Sequence, residues 1–319
     1  AYERGVRLVG SEMCIRDSNM EYTKLIVTDP RPKENIGAYL RHHNISYRYL
    51  EKLKKTFGHI KLNGQIAKAD TKVKAGDVIE IKSNVQTKSD IQTCIIPLDI
   101  VFEDDNILII NKPAGLATMP TKSVYNYNLA GAIMFYMEKK DPNFVCRIIN
   151  RLDKEVSGLV LVAKNSFTAS FFNANPTAFN KTYHALVTGK INEHLTIDKK
   201  IATLIDENGF NQRARVIDEE NGLEATTFVE PIKYLKSIDC TLAKITIKNG
   251  RTHQIRVHTS SVGHPLLGDT IYGEPSQLLS HTALICKELE IISPTDGSFL
   301  KFVVPYPSDI QRLLVGEEC

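Results

Sequence analysis

The sequence predicts an α+β fold: a central mixed, largely antiparallel β-sheet flanked by helices, preceded by a small module of two helices and a β-hairpin. Three observations lead there. Strand-like apolar runs recur from Leu98 onward, namely DIVFED, NILIINKP, GLVLVAK, KTYHALVTG, EATTFVEPI, LAKITIK and FLKFVVPYP. Helical stretches interrupt them only at about 128–139 and after Thr252, without the regular alternation that builds a parallel, doubly wound sheet. Ahead of them, residues 33–84 carry two short amphipathic patterns and then a hairpin signal.

Taken in order, residues 1–19 stand apart. AYERGVRLVGSEMCIRDS has no apolar stretch suited to a signal peptide and no sustained amphipathic period. GSEMCIRDS resembles translated sequencing-adapter sequence, which makes Met20 the expected start. Asn35 is placed to cap a first helix whose Ile36 and Leu40 share a face. Ser46 is placed to cap a second, with Leu50, Leu53 and Phe57 as its inward stripe. Arg48, Lys52 and Lys55, spaced i, i+4, i+7, align on another face of that helix, and Gly58 is positioned to stop it. Asn63-Gly64 suits a tight hairpin turn, and VKAGDVIEI closes the module as a strand. Residues 85–97 are polar and aperiodic and read as a linker to a second domain at 98–319.

The length of 319 residues allows two domains, and 42% hydrophobic with 24% charged residues is ordinary for a soluble globular chain. No apolar run approaches the roughly 18 residues of a membrane span. Six scattered cysteines without a CxxC pair argue against structural zinc and a disulfide framework, and for reduced thiols. The net charge of +3 is unevenly held: residues 31–84 contain 12 Lys/Arg and 5 Asp/Glu, a balance of +7, which leaves −4 for the rest. A basic module on a near-neutral body is the electrostatic layout of a nucleic-acid binder.

The densest motif is NRLDKEVSGLVLVAKN, residues 150–165, in which Asp153 stands just ahead of Ser157-Gly158 and a strongly apolar strand. A loop carboxylate held by a rigid strand is a common way to present a reactive group, although an aspartate in such a turn is by itself ordinarily structural. NRLDKEVSGL resembles the catalytic motif of the RluA family of RNA pseudouridine synthases. VFEDDNILIINKPAGLATMP is similar to the family's opening strand pair, KTYHALVTG to its tyrosine segment, and NGRTHQIRVHTSSVGHPLLGDTIYG to its third motif. IKLNG and AGDVIEI in the first module resemble the small RNA-binding domain of ribosomal protein S-four. That likeness implies that Arg48, Lys52 and Lys55 face an RNA backbone.

The RluA resemblance implies an isomerase that detaches uracil from ribose, rotates it and rejoins it through carbon. Asp153 is then the catalytic carboxylate; attack on the uracil ring, attack on the ribose and abstraction of a sugar proton all remain open to it. Arg256, in HQIRVH, matches the family arginine that pairs with the aspartate. Tyr183 matches the tyrosine that packs on the target base and is the candidate base for the ring proton. Arg151 matches the arginine that fills the stack when the uridine leaves it. Lys181, two residues before Tyr183 on the same strand face, is placed for a phosphate. Arg251 precedes a helix that Thr252 would cap and that would run to Gly263, with Ile255, Thr259 and Val262 on one face; the free N–H groups there favour a phosphate.

His253, His258 and His264 do not make a metal site, since His253 and His258 are five apart on the expected helix and no third ligand accompanies them. The glycines 263, 268 and 273 are too widely spaced for a phosphate loop. An isomerisation needs no net redox or group transfer, so no cofactor and no metal are expected. The implied partner is ribosomal RNA of the large subunit, with transfer RNA as the alternative, for a cytoplasmic monomer without membrane or nucleotide cofactor. Asn150, Val156, Asn249 and Ile285 stand where the family usually has His, Thr, Thr and His. These departures keep a second class open, a non-catalytic RNA-binding or ribosome-assembly factor. A hydrolase lacks any nucleophile–His–acid spacing here.

Overall fold

The computed structural model describes residues 22–43, 45–82, 91–121, 124–206 and 211–316. Residues 1–19, with the adapter-like segment and Cys14, lie outside them, as do 83–90 of the linker region and Cys319.

The first module is a four-stranded antiparallel sheet backed by two helices. Its strands are β1 (Tyr22–Ile26), β2 (Ile60–Leu62), β3 (Gln65–Ile66) and β4 (Val78–Lys82), in the order β1-β4-β2-β3. Helix α1 (Ile36–His42) is capped by the Asn35 side chain, which accepts from the Ala38 amide at 2.8 Å. Helix α2 (Tyr47–Lys54) is capped by Ser46 in the same way. Asn63 and Gly64 both have positive φ, as a tight β2–β3 turn requires. The module begins earlier than the sequence suggested, because β1 pairs with β4 from Tyr22 onward. Phe57 also departs from expectation. Helix α2 ends at Lys54, so Phe57 sits in the following turn and is 88% exposed, whereas Leu50 and Leu53 are buried.

The linker region is partly fastened. Among its described residues, the Cys94 amide donates to the Gly131 carbonyl at 3.2 Å and its thiol to the Asn128 carbonyl.

The main body is one large sheet of β5 (Ile100–Glu103), β6 (Ile107–Lys112), β7 (Arg147–Ile148), β8 (Ser157–Ala163), β9 (Phe179–Thr188), β10 (Leu195–Asp198), β13 (Thr226–Leu235), β14 (Cys240–Ile247), β15 (Leu284–Ile292) and β16 (Phe299–Val303). Between β10 and β13 the chain makes a separate hairpin, β11 (Ile201–Ile205) and β12 (Asn211–Ile217). The main order is β10-β13-β14-β9-β15-β8-β6-β5, with β16 beside β15 and β7 beside β8. Every pairing is antiparallel except β8 with β15, so the sheet is mixed and largely antiparallel.

Strand β8 is buried at every residue, at the centre of the core. Alternate residues of β9 divide between two clusters. Tyr183, Ala185 and Val187 join the one that includes Leu129, Ile133 and Met137 of α3 (Leu129–Glu138), while Leu186 joins Ile310 of α6 (Ser308–Val315). Helix α4 (Ser166–Ala174) follows β8 and meets the first module. Ser170 Oγ accepts from the Ser46 amide at 3.0 Å and donates to Ser46 Oγ at 2.7 Å, and Phe167 is buried in the first module's core. The remaining helix, α5 (Gln254–Ser260), is shorter than its sequence pattern suggested. His253, not Thr252, is the residue at its start, in a left-handed conformation and without a side-chain cap. Val262 lies beyond its end, 37% exposed. No helix among the described residues is long and apolar enough to cross a membrane.

Candidate active site

Asp153 lies in the turn that feeds β8, and that turn is held from several directions. Asn150 is buried, and its amide donates to the Leu159 carbonyl at 3.0 Å and accepts from the Leu161 amide at 2.8 Å. It thereby extends the ladder of β8 with a side chain, which accounts for an amide at this position. The Thr118 hydroxyl donates to the Leu152 carbonyl at 2.5 Å and accepts from the Leu152 amide at 3.2 Å. Lys112, fully buried at the end of β6, donates its ammonium to the carbonyls of Pro113, Leu116 and Lys154 at 2.8, 2.8 and 3.3 Å. Burial pushes this lysine down to about 7, opposed by the charges of Asp153 and Glu155. Three donors meet three acceptors, so the ammonium ties the 113–116 turn to the Asp153 turn.

Gly158 is required where this loop becomes strand. Its φ is +109°, and a Cβ there would lie 2.3 Å from the Cys286 carbonyl oxygen and 2.6 Å from its nitrogen. Only a glycine lets β15 approach β8 for their parallel pairing, Ser157 opposite Ile285 and Gly158 opposite Cys286.

Arg256 comes to this turn from α5. Its Nη1 is 3.5 Å from Asp153 Oδ2, but its short bonds go elsewhere: Nε and Nη2 each donate to a carboxylate oxygen of Asp269 at 2.7 Å. The expected Arg–Asp153 contact is therefore the weaker of two. Asp269 is fully buried and also accepts from the amides of Ile271 and Tyr272. Burial pushes its carboxyl up, and Arg256 with these amides more than offsets that, leaving it below the usual carboxylate range.

His253 Nε2 stands 3.7 Å from Asp153 Oδ2, and its Nδ1 is 2.9 Å from the Tyr272 hydroxyl. Burial lowers its pKa, so the ring is neutral at pH 7. The Tyr272 ring lies 5.3 Å from the Arg256 guanidinium, and its hydroxyl accepts from the Arg215 amide at 2.6 Å. Tyr183 is buried on β9, opposite Ile245 and Cys286. Its phenol is raised well above its ordinary range by burial, with the Cys286 and Asp153 charges adding to the rise. It is thus a neutral phenol across the physiological range.

The other expected residues surround this centre unequally. Arg151 is exposed beside Asp153 and engages no partner among the described residues. Lys181 is half-buried, its Nζ 5.0 Å from the Phe179 ring centroid, and would lie 3.9 Å from a Cβ built on Gly250. Arg251 is not at a capped helix terminus; its Nε donates to the Glu224 carbonyl at 3.1 Å. It lines a cleft of about 440 Å³ with Arg215, Leu223 and Thr252. Lys52 and Lys55 are exposed at the end of α2 in the first module, well removed in sequence from the Asp153 turn, and Arg48 lies on that helix with its side chain outside the described set.

Sequence reasoning missed Asp269, Tyr272, His253 and Lys112. Only the GD and IYG of LLGDTIYG hinted at the first two. Among the described residues, no three His, Cys, Asp or Glu side chains converge as a metal would need.

A family model described as RNA pseudouridylate synthase matches residues 106–261. The ribosomal large subunit pseudouridine synthase D of Nitrosomonas europaea is 34% identical over 80% of this chain and 76% of its own length. An uncharacterized RNA pseudouridine synthase of Bacillus subtilis, YhcT, is 31% identical over 80% of this chain and 83% of its own. Among solved structures, human RNA pseudouridylate synthase domain containing 1 superposes with a TM-score of 0.52 at 25% identity, over 70% of this chain and 95% of that one.

Proposed function

The chain belongs to the RNA pseudouridylate synthase family, and from that premise we propose that it converts uridine to pseudouridine in large-subunit ribosomal RNA, with Asp153 as the reacting carboxylate. The observation that carries the assignment is the Asp153 turn itself. Its carboxylate is 28% exposed within a loop otherwise pinned by Lys112, Thr118 and Asn150, with the Arg256 guanidinium 3.5 Å away. A charged group that is open to a substrate but fixed at its backbone is preorganised for chemistry.

The neighbours then have roles that their geometry supports. Tyr183, buried and neutral, packs against the base, and its phenol oxygen reaches the ring as a hydrogen-bonding group in preference to a phenolate base. Arg151 fills the gap left in the RNA stack. Extruding a base costs a few kcal/mol, and a planar cation in its place offsets part of that. Lys181 and Arg251 take phosphates beside the target, while Arg48, Lys52 and Lys55 hold RNA further away. No step of the isomerisation requires a cofactor.

Large-subunit ribosomal RNA is favoured over transfer RNA by the names of several relatives, which are large-subunit synthases. The test is to map pseudouridine in ribosomal and transfer RNA from cells with the gene, without it, and with Asp153→Asn in its place. The expected result is one or more large-subunit positions lost equally in the last two. Loss only from transfer RNA would move the substrate, and full modification by the Asn variant would remove Asp153 from the reaction.

A further inference from the structure

An aromatic ring at 88% exposure is unusual in a chain whose spacing would otherwise bury it. Phe57 owes its position to the early end of α2 and to Gly58, whose φ of +82° turns the chain into β2. It lines a groove of about 760 Å³ between the end of α2 and the β2–β3 hairpin, together with Ile66, which is itself 51% exposed. That volume falls in the roughly 300–1,000 Å³ range of pockets that enclose a small ligand, a nucleotide among them.

The charges around the groove have one predominant sign. Arg41, Lys54 and Lys68 line it against a single carboxylate, Asp70. Lys54 is shared with Glu51 at 2.8 Å, and Arg41 gives its Nε to the Gly37 carbonyl at 3.2 Å. The Lys68 ammonium engages no partner among the described residues. An aromatic and an aliphatic face bordered by cations is how proteins hold single-stranded nucleic acid: the base stacks, and the phosphates on either side meet the charges. A duplex does not offer its base faces in this way.

We propose that this groove holds an unpaired nucleotide of RNA, the base lying on Phe57 and Ile66 and the flanking phosphates facing Arg41, Lys54 and Lys68. The proposal rests on the reading of the substrate as RNA and adds a second point of contact to it. That point is at the end of α2 away from Ser46, which bonds Ser170 of the main body, so it is separated from that bond by a helix length of about 12 Å.

The chain contains no tryptophan, which makes a direct test available. Phe57→Trp places the sole indole emitter in the groove of the full-length protein. A short oligouridylate should quench its emission at least twofold and shield it from acrylamide, and a blunt RNA duplex should do neither. Phe57→Ala should weaken oligouridylate binding about tenfold, Phe57→Tyr should restore it, and Phe57→Leu should not. Unchanged emission and unchanged acrylamide access at saturating oligouridylate would overturn the proposal, since RNA would then be held elsewhere. So would a Leu variant that binds as tightly as the parent, or emission that shifts with protein concentration alone; these would make the groove a surface for another protein or a second copy. Isomerisation of ribosomal RNA measured on the same preparations separates the two readings. An inactive parent would overturn the enzymatic assignment and leave the fluorescence result standing, whereas a sound groove predicts a raised KM with little change in kcat for Phe57→Ala.

Discussion

Two carboxylates share one guanidinium, and they do so unequally. Asp269 holds Arg256 by two bonds of 2.7 Å in a fully buried pair, while Asp153 is 3.5 Å away and partly open. Asp269 therefore fixes the arginine, and Asp153 keeps the freedom to meet a substrate. Arg256→Ala should cost about 3–5 kcal/mol in urea unfolding, because it strands Asp269 as an unpaired buried charge. Asp153→Asn should stay within about 0.5 kcal/mol of the parent while losing the reaction. Equal stability of the two variants would show that the buried pair does not carry the fold as described. One partner of Arg256, Asp153, was legible in the sequence and lies 3.5 Å from it, but the second was not: Asp153 sits in a dense motif, whereas the aspartate of LLGDTIYG reads as an ordinary turn residue. Its role appears only when the chain folds back from 269 to 256. His253 was hidden for a related reason, because no local pattern announces a left-handed residue at the start of a helix.

At the level of elements, part of what local chemistry dictates was readable, although the cap expected at Thr252 was not found. The caps Asn35 and Ser46 and the Asn63-Gly64 turn act within a few residues, and all three are found as expected. Helix α4 and strand β15 were not anticipated. SFTASFFNA is rich in residues of middling helix propensity, and LICKELEII mixes its alternation with charges that only pairing to β9 and β16 explains. Glu103 illustrates how elements are tied by groups far apart in sequence. It accepts from Tyr136 of α3 at 2.6 Å, from Lys140 at 2.9 Å and from Lys164 after β8 at 2.9 Å. Burial pushes this carboxyl up, but these donors prevail and hold it at about 2 against an ordinary 4.5. Because the folded value is the lower one, the stabilisation is complete above about 4.5 and is lost as pH falls through about 2. Urea midpoints at pH values on either side of that window should fall less for Glu103→Gln than for the parent. A parallel decline in both would remove Glu103 from the acid transition. Gly158→Ala should destabilise by about 3 kcal/mol, since its Cβ would meet the Cys286 backbone and force β15 away from β8. A fully stable Ala variant would mean that this strand contact is looser than its distances imply.

Across the whole molecule, the charge excess at 31–84 was visible in composition, but the attachment of that module was not. The polar, aperiodic stretch at 85–97 reads as a linker and gives no sign of the direct contact between the modules, in which Phe167 of α4 is buried among the first module's apolar residues and Ser170 is bonded to Ser46. Deleting residues 20–90 should flatten the slope of log affinity against log salt by roughly 0.7–0.9 for each phosphate that the module neutralises. It should also bare Phe167, so the shortened protein should aggregate on warming unless Phe167→Ser accompanies the deletion. An unaltered salt slope would make the basic helix face a solvated surface only. The Ser46–Ser170 joint has one more consequence. A helix bolted at one end to the catalytic body, with a nucleotide grip at the other, is a caliper. Such a device selects a uridine by its distance from an unpaired nucleotide and is indifferent to the letters between. Lengthening a substrate stem between the two by half a helical turn should abolish its modification by the parent protein. Loosening the joint with Ser46→Ala and Phe167→Ser together should restore it.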